Sequence, residues 1–135
     1  MTNIFIDTSA FIALYLSDDD FHRKAIDWLK KAKGATIFWT TNYILDEVYT
    51  FIRSVKGKNA AVNFADFLAS NSDTVKIKRV TLEEEKNAFT LFSNLDFKDL
   101  SFTDCTSFTV MRKLHLKQAF SFDKHFKQAG FEMAP

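Results

Sequence analysis

The sequence predicts a single α/β domain in three layers, with helices on both faces of a mainly parallel sheet of four to five strands. Three observations predict it. Strand-like and helix-like segments alternate along the chain, as expected for right-handed crossovers between parallel strands. No repeat, low-complexity tract or Pro/Gly-rich linker divides the 135 residues, and the one proline is the last residue, so residues 1–135 form one unit. Hydrophobic residues make up 47%, and 16 residues are phenylalanine, enough for one sizeable core at this length.

Each element has a local signature. "NIFID" at 3–7 opens as a strand, followed by a loop. A helix over 20–33 follows from the spacing of Phe21, Ala25, Trp28, Leu29 and Ala32, with Asp20 as N-cap. Gly34 stops it, and "ATIFWT" at 35–40 is the second strand. Asn42 caps a helix to about residue 55, with Ile44, Leu45, Val48, Phe51, Ile52 and Val55 as its buried stripe. A further helix covers 59–69. "VKIKRV" at 75–80 alternates apolar and basic residues, the pattern of an outer strand with one exposed face. Thr81 and Glu84 form a capping box opening a helix to about residue 92. Ser101 or Thr103 caps a helix to about residue 116, before the strand "AFSF" and a short edge strand, "FEMA".

Composition excludes several classes. The formal charge is +1, from 18 Lys+Arg against 17 Asp+Glu, so no global basic field marks a nucleic-acid partner and any such binding needs a local patch. The single cysteine, Cys105, forms no internal disulfide, and no Cys/His spacing resembles a zinc site. A reducing, cytoplasmic setting is expected. The apolar "FIALYL" is preceded by Asp7 and followed by three aspartates at 18–20, which fits neither a signal peptide nor a membrane span.

The chemistry lies in the acids. In parallel α/β sheets, sites form outside the carboxyl ends of the strands, and "NIFID" and "AFSFD" both end there in an aspartate, Asp7 and Asp123. Thr8 and Ser9 follow Asp7 with hydroxyls that can hold its carboxylate. Glu47 sits at the edge of the buried stripe of its helix, whereas Asp46 points nearly opposite. Asp104 falls in a first helical turn, with Thr103 and Ser107 to orient it. Each acid alone has an ordinary explanation in strand-end polarity or the helix dipole; their convergence at one corner does not. Four carboxylates in one cleft repel each other unless protonated or joined by a cation. Oxygen donors without histidine or cysteine select Mg2+ or Mn2+, as one or two ions. Such ions suit hydrolysis of a phosphodiester by a metal-activated water.

Four segments, "FIDTSAFIAL" (5–14), "TTNYILDEVYTFI" (40–52), "LSFTDCTSFTVMRK" (100–113) and "AFSFDKHFKQAGF" (119–131), together resemble the PIN-domain ribonucleases, and within them the VapC-type toxins of toxin–antitoxin pairs. The resemblance implies a PIN-like fold and a metal-dependent endoribonuclease acting on RNA. Its acids map onto Asp7, Glu47, Asp104 and Asp123, with Glu47 and Asp123 reaching the metal directly or through water. It also implies a homodimer and a cognate antitoxin that wraps and inhibits it.

Around these, Thr8, Ser9 and Thr103 adjoin the proposed ligands, while Arg112 and Lys124 are candidate contacts to RNA phosphates. Cys105 and His115 are ten apart on one expected helix, about 15 Å along it, and form no dyad. Cys105 is expected to be buried and His125 exposed or capping. Asp99 stands out among the loop acids, and Trp39 and Tyr43 are candidates for a surface or dimer role. Two alternatives compete with the nuclease: a non-catalytic RNA-binding or scaffold protein of the same fold, and a receiver-like signalling domain. The latter needs an acidic pair at the first strand end and a later lysine, which "IDTS" and "SFDK" supply poorly.

Overall fold

The computed structural model describes residues 1–32 and 34–135. In chain order the elements are β1 (Thr2–Ile6), α1 (Thr8–Tyr15), α2 (His22–Lys31), β2 (Thr36–Thr41), α3 (Asn42–Lys56), α4 (Lys58–Ser70), β3 (Val75–Lys78), α5 (Leu82–Asn94), α6 (Phe102–Lys113), β4 (Gln118–Phe120), α7 (His125–Gln128) and β5 (Glu132–Ala134). The five strands form one sheet in the order β3-β2-β1-β4-β5, parallel throughout. β1 is central, and Ile4, Phe5 and Ile6 are all buried, as expected for a strand covered on both faces. Helices α1 to α4 pack on one another, as do α5 to α7, and α3 also touches α6.

This order places the site. The chain winds from β1 out to β3, then crosses back to add β4 on the other side of β1. The crevice beyond the carboxyl ends of β1 and β4 is therefore the switch point, where ligands bind in such sheets. Ile6 pairs with Phe120 across that seam, so residues 7 and 121 emerge side by side.

Several elements depart from the sequence expectation. The loop expected after β1 is helix α1, in which Ala10, Phe11, Ile12 and Ala13 are all buried, so no amphipathic period marks it. Its N-cap is Asp7, which accepts from Ala10 N. Asp20 does not cap α2: the preceding turn brings Asp19 instead to the helix start, where Oδ2 accepts from Phe21 N at 3.0 Å. The expected end of that helix, Lys33, lies outside the described residues. Thr41, not Asn42, caps α3, because Thr41 is still extended and its Oγ1 accepts from Ile44 N at 3.1 Å. Asn42 is already helical, and its Oδ1 accepts from Val80 N at 2.8 Å.

Phe51 and Val55 were expected in the core but are 43% and 50% exposed, because the core covers only the row of Ile44, Leu45, Val48 and Ile52. Both line open clefts. Helix α6 stops at Lys113; Leu116 N turns back to Met111 O (2.8 Å), with His115 in the left-handed region. Strand β4 is shorter than expected, since β5 offers it pairing only as far as Ala134. Asp123 thus leaves a turn beyond the sheet rather than a strand end. Among the described residues no helix is long and apolar enough to cross a membrane.

Candidate active site

Asp7 anchors the site at the end of β1 and is only 4% exposed. Its Oδ1 accepts from Ser9 Oγ (2.8 Å) and Ala10 N (3.2 Å), and its Oδ2 from Ser121 Oγ (2.9 Å). The two serines knit the seam together: Phe122 N donates to Ser9 Oγ and Asp123 N to Ser121 Oγ, each at 2.9 Å. Burial pushes the Asp7 carboxyl up to about 7. The donors from Ser9, Ala10 and Ser121 offset part of that rise, and the charge of Asp123 adds to it.

Glu47 reaches the same cleft from α3, where Thr8 Oγ1 donates to its Oε1 at 2.6 Å. Asp104 is the third residue of α6 and closes a reciprocal cap with Ser101: its N donates to Ser101 Oγ (3.0 Å), and Ser101 N donates to its Oδ2 (3.3 Å). Its carboxyl is pushed up to about 6, first by burial and then by the charge of Asp123. Thr103 and Ser107, expected to orient Asp104, make no hydrogen bond to it among the described residues; Ser101 does so, because the cap geometry fixes which hydroxyl faces the third residue.

All four acids line one cleft of about 480 Å3, together with Thr8, Ser9, Asp19, Phe21, Asp99, Ser101 and Phe122 among others. Six of its lining residues are acids, and among the described residues no Lys or Arg lines it. Arg112 is not brought here. It lines a separate groove of about 550 Å3 between α5 and α6, its guanidinium 6.0 Å from the centre of the Phe131 ring. Lys124 precedes α7 and is exposed, outside the cleft lining. At the cleft, Phe21 and Phe122 stack with centroids 4.6 Å apart and planes 10° from parallel. Trp39 and Tyr43, the candidates for a surface or dimer role, are half-buried: Trp39 Nε1 donates to Asn3 Oδ1 (3.0 Å), and the Tyr43 hydroxyl donates to Glu85.

His125 is neither exposed nor a cap. It is 7% exposed; its Nε2 lies 2.6 Å from Lys98 O, and its Nδ1 lies 2.7 Å from Asp123 Oδ1 and 3.4 Å from Asp104 Oδ2. Burial lowers its basicity, but the Lys98 carbonyl and the charges of Asp123 and Asp104 raise it further, so the net direction is up. Beside the expected oxygen donors the structure places a nitrogen, since one donor atom each from Asp104, Asp123 and His125 lies within 4.8 Å of the others. Hard carboxylates crowded in a cleft that no described Lys or Arg lines, two of them disfavoured as anions by burial, fit a divalent cation. Ser121 and His125 escaped sequence reasoning. Strand alternation could have found Ser121, which directly follows β4; no spacing marks His125, whose burial depends on the Lys98 loop.

The PIN domain family model matches residues 4–132. The chain belongs to the PIN-domain family. This PIN domain is 36% identical over 129 residues to the 23S rRNA-specific endonuclease VapC20 of Mycobacterium tuberculosis, covering 95% of each chain. The crystal structure of that relative, described as a sarcin–ricin loop cleaving toxin, superposes with a TM-score of 0.87 over 98% of this chain and 99% of its own. FitAcB from Neisseria gonorrhoeae shares the PIN fold at 11% identity, with a TM-score of 0.73 over 98% of this chain and 96% of its own.

Proposed function

We propose that this PIN domain is an endoribonuclease dependent on Mg2+ or Mn2+, with one or two ions held by Asp7 and Asp104, and by Glu47 and Asp123 directly or through water. The observation that carries the reading is one cleft in which acids from four separate segments meet. Its identity to an rRNA endonuclease supports RNA as the substrate. A bound ion of this kind supplies polarisation of a phosphodiester and a more acidic water.

The chain's own residues do the rest. Ser9, Ser121 and Ala10 N fix Asp7, and Ser101 fixes Asp104. Thr8 holds Glu47 by Oε1, leaving Oε2 to take a proton from the attacking water. The half-exposed Phe21, stacked on Phe122, offers a face on which a base beside the scissile bond can stack.

By the same relationship we assign the chain as the toxin of a type II toxin–antitoxin pair, cytoplasmic, homodimeric and inhibited by a cognate antitoxin. The test is cleavage of 23S rRNA and its sarcin–ricin hairpin by the purified chain, with Mg2+ or Mn2+, with and without chelator. Cleavage abolished by chelator and by Asp7→Asn or Asp104→Asn is expected. Equal cleavage in all these conditions refutes the metal site. Co-expression with the product of a small adjacent reading frame tests the antitoxin.

A further inference from the structure

His125 occupies the first turn of α7 and sits against the acids of the cleft. Its Nε2 meets the Lys98 carbonyl at 2.6 Å, and a carbonyl oxygen only accepts, so Nε2 carries the hydrogen. In the neutral ring, Nδ1 is then the lone-pair atom. That atom is buried and, among the described residues, has no aligned hydrogen-bond partner: Asp123 Oδ1 is near, at 2.7 Å, but lies outside hydrogen-bond alignment. Nδ1 is thus flanked by the oxygens of Asp123 and Asp104, at 2.7 and 3.4 Å, with its lone pair aligned on neither.

Adjacent donors on one octahedral ion at about 2.1 Å are about 3 Å apart, close to both separations. A histidine that ligates through one nitrogen commonly donates its other N–H to a carbonyl, which fixes the tautomer and ring orientation. The Lys98 loop does this here, with Asp99 in the left-handed region (φ 61) immediately after the carbonyl.

We propose that His125 Nδ1 ligates the cation beside Asp104 and Asp123, and that this nitrogen biases the cleft towards Mn2+ over Mg2+; the inference rests on the metal-dependent reading above. Mg2+ prefers oxygen and holds its waters tightly, whereas imidazole suits first-row transition ions. A cleft of acids alone would distinguish the two ions less.

The experiment is Mn2+ binding to the full chain without RNA, read by pulsed electron paramagnetic resonance, beside calorimetric titration with Mn2+ and Mg2+. A directly coordinated nitrogen is expected in the wild type and absent in His125→Asn, whose Mn2+/Mg2+ affinity ratio falls by about tenfold or more. The spectrum of the unaltered chain decides the matter even where the variant fails to fold. Mn2+ bound without nitrogen coupling overturns the proposal and makes the ring a structural partner of Asp123, leaving the four-acid reading intact. Failure of the wild type to bind Mn2+ at all overturns both, and chelator-insensitive cleavage marks that wider failure.

Discussion

Ser121 Oγ donates to Asp7 Oδ2 at 2.9 Å while accepting from Asp123 N, also at 2.9 Å. One hydroxyl therefore sets the relative position of two acids that lie 116 positions apart in the chain. Ser121→Ala removes a donor from a buried carboxylate and leaves a backbone N–H without its partner. Cleavage is expected to fall about 10- to 100-fold, with a loss of about 1–3 kcal/mol in stability. Rate measurements and urea unfolding of the same preparation check both.

Asp7 and Asp104 give the metal-free protein an unusual pH dependence. Their folded values, about 7 and about 6, lie above the ordinary 3.8. Between those limits the two carboxyls bind more protons in the folded state than in the unfolded one, so their contribution to stability is greatest below about 4 and falls as pH rises towards 7. In chelator, urea unfolding should show a less stable protein at pH 8 than at pH 5. Asp7→Asn should flatten that slope and raise stability at pH 8 by about 1–3 kcal/mol while abolishing cleavage. Saturating Mn2+ should restore the wild type at pH 8, by about 2.7 kcal/mol at a hundredfold excess over Kd.

Glu84 behaves in the opposite way. It is 1% exposed, with Lys78 Nζ at 2.8 Å from Oε1 and Lys113 Nζ at 3.0 Å from Oε2, the latter an ion pair without hydrogen-bond alignment. Burial raises its carboxyl, but Lys78, the Thr81 N–H and Lys113 outweigh that and hold it down at about 2. Its contribution is present above the unfolded value near 4.5 and lost as pH falls through about 2. Glu84→Gln keeps the cap on Thr81 but leaves two lysines uncompensated, and should cost about 3 kcal/mol by thermal unfolding. Cleavage well below the melting point should stay near wild type, since Glu84 lies outside the cleft.

Phe21 is the exposed member of the stacked pair at the cleft. Phe21→Ala should raise KM for an RNA hairpin about tenfold, a typical value for one lost base stack, with kcat changed less. Steady-state kinetics separate the two effects, and a loss confined to kcat would count against a stacking role.

The alternation of elements, the outer strand at 75–78 and the Thr81–Glu84 cap were legible because each rests on local periodicity or a fixed three-residue spacing. Helix α1 was not: a segment buried all round carries no period, and the cap that starts it is the same aspartate that marks the site. The four acids could be picked out because parallel sheets gather chemistry at their carboxyl edge. What holds them was harder to read. Ser121 and His125 act through turns whose geometry arises only after β4 docks beside β1, and Arg112 lies in the groove beside α5 and Phe131 rather than in the cleft because its helix turns that face there.

The strand order carries a consequence for synthesis. β1 is made before β2 and β3, yet its other neighbour β4 and the turn bearing Asp123 and His125 are made after both. Until those residues are free to dock, Asp7 has no Ser121 and the cleft lacks one wall. A growing chain is thus disarmed by its own topology, and the cleft is complete only once β4 and the turn after it have left the ribosome and docked beside β1.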